Sequence, residues 1–130
     1  MALKSSDPRL LVLVVDDELL IRWALREVLE AKGYLVAEAV DATAARSAFV
    51  DGHPRPDAVV LDYHLPDSND LQLLASIRHD APSVPVIMMT AYSTAEMIEQ
   101  ALALGARHVV NKPFEVHQMA DLVTEALPIH

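Results

Sequence analysis

Five short apolar runs recur along this chain, at 10–15, 34–39, 58–61, 84–89 and 108–110, and four of them are nearly unbroken in Val, Leu, Ile and Met. A strand covered on one face alternates apolar and polar residues. A strand buried on both faces, as in a parallel sheet between two helical layers, reads as a continuous apolar stretch. The run at 34–39 admits Glu38 in its middle, which suits an edge strand.

Helical periodicity fills the intervals. Between 19 and 31, Ile21, Ala24, Leu25, Val28 and Leu29 form a stripe of 3.6-residue period, and Gly33 supplies a stop. Asp41 is placed to cap a helix over 42–50. A third helix is expected over 69–79, with Leu71, Leu74 and Ile77 on one face. The fourth opens on the capping box Ser93-Thr94-Ala95-Glu96 and runs through Met97, Ile98, Ala101 and Leu102 to Gly105. The fifth spans 115–127, with Val116, Met119, Ala120 and Val123 inward and Pro128 ending it. Five alternations of strand and helix predict a doubly wound α/β parallel sheet with right-handed crossovers.

At 130 residues the chain is one domain's worth, and 52% apolar content supplies its core. Aromatics are only 5%, so that core rests on aliphatic residues and Met. Cys is absent, which excludes a disulfide framework, a thiolate metal site and a Cys nucleophile, and fits a cytoplasmic location. The formal charge of −9 repels phosphate backbones and anionic lipid, arguing against direct nucleic-acid or membrane binding. The apolar run at 10–15 falls far short of the roughly 20 residues of a membrane span, and no secretion signal precedes it. Residues 1–9 read as a flexible lead-in, 10–127 as the folded domain and 128–130 as a tail or the start of a linker.

In an open parallel sheet, ligands gather outside the carboxyl ends of the strands. The first run is followed by Asp16-Asp17-Glu18, the third by Asp62, the fourth by Thr90 and the fifth by Lys112. Carboxylates, a hydroxyl and an ammonium thus converge on one rim from positions nearly a hundred residues apart. Clustered carboxylates repel one another, and a divalent cation removes that cost. All-oxygen ligation by few protein carboxylates favours Mg²⁺, which keeps positions open for water and phosphate oxygens. One carboxylate can then attack a phosphoryl group, with Lys112 supplying charge and Thr90 a hydrogen bond. The three glycines, at 33, 52 and 105, form no phosphate-cradling loop.

The segments Val14-Val15-Asp16-Asp17-Glu18, Val60-Leu61-Asp62-Tyr63-His64-Leu65-Pro66-Asp67, Met89-Thr90-Ala91-Tyr92 and Asn111-Lys112-Pro113-Phe114 together resemble the receiver domain of two-component response regulators, over essentially the whole chain. The resemblance implies a flavodoxin-like five-stranded sheet in order 2-1-3-4-5 with five flanking helices. It implies that Asp62 accepts phosphate from a phosphohistidine of a sensor histidine kinase. Asp17 and Asp62 would hold Mg²⁺ through side chains, His64 through its backbone carbonyl, and Asp16 through water or by orienting the ion. Lys112 would pair with the phosphoryl group, across a cis bond to Pro113. Thr90 would be the switch hydroxyl, moving the loop before the fourth helix, and the small Ala91 would leave room for the phosphoryl group. The implied output is a partner or homodimer surface on the fourth helix, fifth strand and fifth helix. Leu65-Pro66-Asp67 and Met89-Thr90-Ala91-Tyr92 look most like receivers attached to transcriptional activators. No effector is encoded here, and an excised N-terminal portion is favoured over a stand-alone receiver.

Several positions depart from the family pattern. Val109 stands where a Tyr or Phe usually swings inward with the Thr, and Asp70 stands where Gly is usual and could cap the third helix. His64 and Tyr92 are bulky near the expected path of attacking water, which implies slow self-dephosphorylation. The six histidines, at 53, 64, 79, 108, 117 and 130, show no zinc-like spacing and read as surface residues. Ser93 reads as an N-cap rather than a nucleophile, Phe114 and Met119 as core, and Trp23 as a kinase contact or a half-buried helix-edge residue. On this reading the chain is a signalling module whose only chemistry is directed at itself. Two rivals stand beside it: a receiver-like binding module not regulated by phosphorylation, and an aspartyl-phosphate phosphatase. The latter wants an Asp where His64 stands, and a cap domain.

Overall fold

The computed structural model describes residues 9–51, 54–68 and 71–127. Five strands, β1 (Leu11–Val15), β2 (Leu35–Ala39), β3 (Ala58–Asp62), β4 (Val86–Thr90) and β5 (His108–Asn111), pair in parallel in the order β2-β1-β3-β4-β5. Five helices connect and follow them: α1 (Leu19–Ala31), α2 (Ala42–Val50), α3 (Gln72–Asp80), α4 (Ala95–Ala103) and α5 (Val116–Ala126). The expected sheet order and helix count are both present. β2 lies at an edge, as Glu38 indicated.

Successive side chains of a strand point to opposite faces, and the core divides accordingly. Leu13, Val15, Val59, Leu61 and Met88 face α2, α3 and α4, where Ala45, Phe49, Leu74, Ile77 and Ala101 meet them. Val12, Val14, Val60, Ile87 and Met89 face Leu25 and Leu29 of α1 and Met119, Ala120 and Val123 of α5. Both faces of β1, β3 and β4 are therefore dry, and their sequences could not alternate.

Helix ends differ in detail from the sequence reading. Helix α3 begins at Gln72 rather than 69, and residues 69 and 70, Asp70 among them, lie outside the described residues. The expected capping box at α4 is not formed. Thr94 is the N-cap, accepting the Met97 amide at 3.1 Å, while the Ser93 hydroxyl bonds the Asn111 side chain. Asp41 does cap α2, through the Ala44 amide.

Helices α1 and α4 both end on a left-handed glycine. At α4, the Gly105 amide bonds the Leu102 carbonyl and the Ala106 amide the Ala101 carbonyl, which satisfies two otherwise orphaned carbonyls. Gly105 has φ +106, and a Cβ there would lie 2.6 Å from Arg78 Nε. Gly105→Ala is therefore expected to destabilise the fold by about 1–3 kcal/mol, read as a lower urea midpoint at unchanged slope. Gly33, with φ +98 and open space around it, isolates the backbone contribution alone, so Gly33→Ala should cost less.

Candidate functional site

The carboxyl ends of β1, β3, β4 and β5 carry the polar residues that the sequence singled out. Asp62 and Thr90 are the last residues of their strands, and Lys112 follows β5, its amide bonded to the Thr90 carbonyl at 2.7 Å. That bond extends the β4–β5 pairing by one residue into the rim.

Asp16 is fully buried and Asp62 is 5% exposed, whereas Asp17 is exposed. One carboxylate oxygen from each lies within 4.8 Å of the others, so the three form a ligand-sized group. The Lys112 side chain is only 13% exposed, and its ammonium sits 2.8 Å from Asp16 Oδ2, 3.3 Å from Asp62 Oδ2 and 3.2 Å from Glu18 Oε1. The other Asp16 oxygen accepts the Glu18 amide at 2.8 Å. Asp62 Oδ1 receives the His64 amide at a longer 3.3 Å.

Burial pushes the Asp62 carboxyl up to about 6, and the neighbouring Asp16 charge pushes the same way, against the opposing pull of Lys112. Lys112 is itself raised: burial disfavours its charge, but the Asp16 hydrogen bond and the Asp62 charge together prevail. The site thus holds more negative charge than its one ammonium can balance. An all-oxygen donor set with that surplus fits a hard divalent cation.

Thr90 is fully buried, and its hydroxyl oxygen accepts the Tyr92 amide at 3.2 Å. An open cavity of about 350 Å³ above Asp62 is lined by Asp17, His64, Pro66, Ala91, Tyr92 and Lys112. Tyr92 is 78% exposed, and the His64 ring lies edge-on to it with centroids 6.1 Å apart, and to Tyr63 at 4.9 Å. The Lys112–Pro113 peptide is cis, as the resemblance implied. Val109 is half-buried and packs on the core shared with α4. Trp23 is exposed at 58% on α1, and Phe114 is only half-buried against the core. Of the histidines, His79, His108 and His117 each lie beside a carboxylate at the surface; His53 and His130 fall outside the described residues.

Two charged residues make contacts between elements that the sequence did not foretell. Arg22 on α1 donates to the Asp16 carbonyl at 2.8 Å and to Glu38 Oε1 at 2.8 Å. Glu38 also accepts from Arg26, and that bond, against partial burial and joined by Arg22, holds its carboxyl below the ordinary range. Asp67, on the loop after β3, accepts from the amides of Ala42 and Thr43 and from the Thr43 hydroxyl, stapling that loop to the start of α2. Neither contact follows from spacing, because each spans separate elements.

Residues 12–124 match the model of the response regulator receiver domain. Sporulation initiation phosphotransferase F of Bacillus subtilis (strain 168) is 33% identical over 118 residues, covering 91% of this chain and 94% of that protein. Regulatory protein AtoC of Escherichia coli (strain K12) is also 33% identical over 118 residues, but the match spans 25% of its length. Among solved structures, the receiver domain of NtrX from Brucella abortus superposes with a TM-score of 0.80 at 33% identity, covering 89% of this chain and 97% of that one. With the sheet order, the rim of acidic residues and these likenesses in agreement, the chain belongs to the response regulator receiver domain family of two-component signalling.

Proposed function

We propose that this receiver is switched by phosphorylation of Asp62, with a phosphohistidine of a sensor histidine kinase as donor. The observation that carries the reading is the Lys112 ammonium lying within 3.3 Å of both Asp16 and Asp62, carboxylates from two other strand ends. An Asp62 oxygen attacks phosphorus, the P–N bond to the donor imidazole breaks, and the nitrogen leaves with the bonding pair and takes up a proton. Lys112 pairs with the phosphoryl oxygens, Thr90 donates its hydroxyl to them, and Ala91 leaves them room.

Asp17, Asp62 and the His64 carbonyl would hold Mg²⁺, with Asp16 orienting it or binding through water. The ion supplies positive charge that offsets the clustered carboxylates and the phosphoryl oxygens. The receiver occupies 10–127, between a lead-in at 1–9 and a tail at 128–130. It acts on itself rather than on an external metabolite, and it works in the cytoplasm. No helix among the described residues is long and apolar enough to cross a membrane. The kinase would dock beside the site on α1, where Leu19, Leu20 and Trp23 are exposed. The face made by α4, β5 and α5 would carry the output, to a partner or a second copy. With its charge of −9, this domain itself is not the part that would bind nucleic acid.

Incubation with a small phosphodonor and Mg²⁺, followed by intact mass, tests the reading. The expected result is one added phosphoryl group that Asp62→Asn abolishes. Continuous release of inorganic phosphate over many turnovers would indicate a phosphatase. No adduct would indicate a binding module free of phosphorylation, the rival that Val109 favours because its short side chain cannot swing as an aromatic ring does. Once formed, the adduct should decay over minutes or longer after donor removal, because neither His64 nor Tyr92 carries the carboxylate or amide that would orient a water. Decay within seconds would refute that expectation.

A further inference from the structure

We infer that Arg22 is a positioning residue for the cation site, acting through the backbone of Asp16 rather than by touching the ion. The inference rests on the reading of Asp16, Asp17 and Asp62 as that site. β1 ends at Val15, and beyond it the Asp16 amide still bonds the Ala39 carbonyl of β2 at 3.1 Å. The Asp16 carbonyl is met instead by a side chain, the Arg22 guanidinium, one turn into α1. That carbonyl belongs to the peptide unit that joins Asp16 to Asp17. Its orientation therefore sets where the exposed Asp17 carboxylate stands relative to buried Asp62.

Arg22 is built to hold such a unit. Its side chain is 11% exposed, and its Nε is engaged by Glu38 on β2 while its Nη1 holds the carbonyl. A planar guanidinium fixed at one edge presents its remaining donors in one direction, which a flexible ammonium cannot do. Hydrogen bonds from a charged donor are also the stronger kind. Arg26 provides an internal control: it pairs with the same Glu38 and with Glu30, yet no hydrogen bond of its side chain reaches the rim. Outer groups that orient metal ligands typically change metal affinity by about 10–100-fold when removed.

The test is Mg²⁺ titration of the full chain by calorimetry, with thermal unfolding of each variant recorded in EDTA. Arg22→Met should raise the Mg²⁺ dissociation constant about tenfold, and Glu38→Gln should move it the same way by less. Arg26→Met should stay within about twofold of the parent. The Arg22→Met, Glu38→Gln pair should be less than additive in affinity, since both act through one guanidinium. If Arg22→Met fails to fold, Arg22→Lys, which keeps the charge and loses the fork, should still weaken binding. Parent-like affinity in a folded Arg22→Met or Arg22→Lys protein overturns the role of Arg22 and leaves the cation site standing. An equal loss in Arg26→Met also overturns it, by reducing the effect to general surface charge. Absence of Mg²⁺ binding by the parent overturns the cation site itself, and Arg22's role with it.

Discussion

Lys112→Met is expected to destabilise the protein by about 3–5 kcal/mol at pH 8 in EDTA, because it strips the partner from two buried carboxylates. Asp16 and Asp62 have almost no contact with solvent, and their charges would face each other with no ammonium between them. The loss should depend on pH, and its sign follows from Asp62. That carboxyl titrates near 6 in the folded protein against 3.8 for an ordinary aspartate. Between those values the folded state keeps a proton that the unfolded chain has given up, so stability falls as pH rises through the window and stays low above it. A gap of about two pH units corresponds to on the order of 3 kcal/mol. Removing Lys112 takes away the largest influence pulling Asp62 down and leaves only the His64 amide, so the variant should be hurt less at pH 5 than at pH 8. Urea unfolding at both pH values measures this. A loss equal at the two, or below about 1 kcal/mol at pH 8, would contradict it. Added Mg²⁺ should restore part of the deficit in both proteins.

A loss of similar size is expected from Leu25→Ala, for a different reason. Leu25 is fully buried on α1, among the side chains that seal α1 and α5 onto one face of the sheet. Truncation there leaves a cavity and forfeits burial, together worth about 2–5 kcal/mol, or very roughly 10 °C in Tm for a domain of this size. No polar group is involved, so this loss should be the same at pH 5 and pH 8. Leu20, five residues earlier on the same helix and 77% exposed, offers the contrast: Leu20→Ala should stay within about 0.5 kcal/mol of the parent. Denaturant midpoints for the pair, at constant slope, would check both statements.

The sequence announced the strands because three of them are sealed on both faces, and it announced the rim because a parallel sheet brings its carboxyl ends together wherever they lie in the chain. Asp16, Asp62, Thr90 and Lys112 could be picked out from that rule and stand together in space. Contacts between elements were not legible. Arg22 reads as one more charge on a helix until α1 is laid over the end of β1. Asp67 is only one residue of a receiver-like segment until α2 presents its amides to it. At the start of α4, Ser93 and Thr94 are both good caps, and the choice falls to Thr94 because Ser93 is drawn away by Asn111, eighteen residues on.

That side-chain bond has a mechanical meaning. Ser93 lies three residues beyond Thr90, and Asn111 lies one before Lys112, while the backbones of Thr90 and Lys112 are themselves joined. The two stretches make a closed hoop rather than a pair of loose ends. A tug on the Thr90 segment either carries the tip of β5 along or breaks the clasp, at a net cost of about 1 kcal/mol.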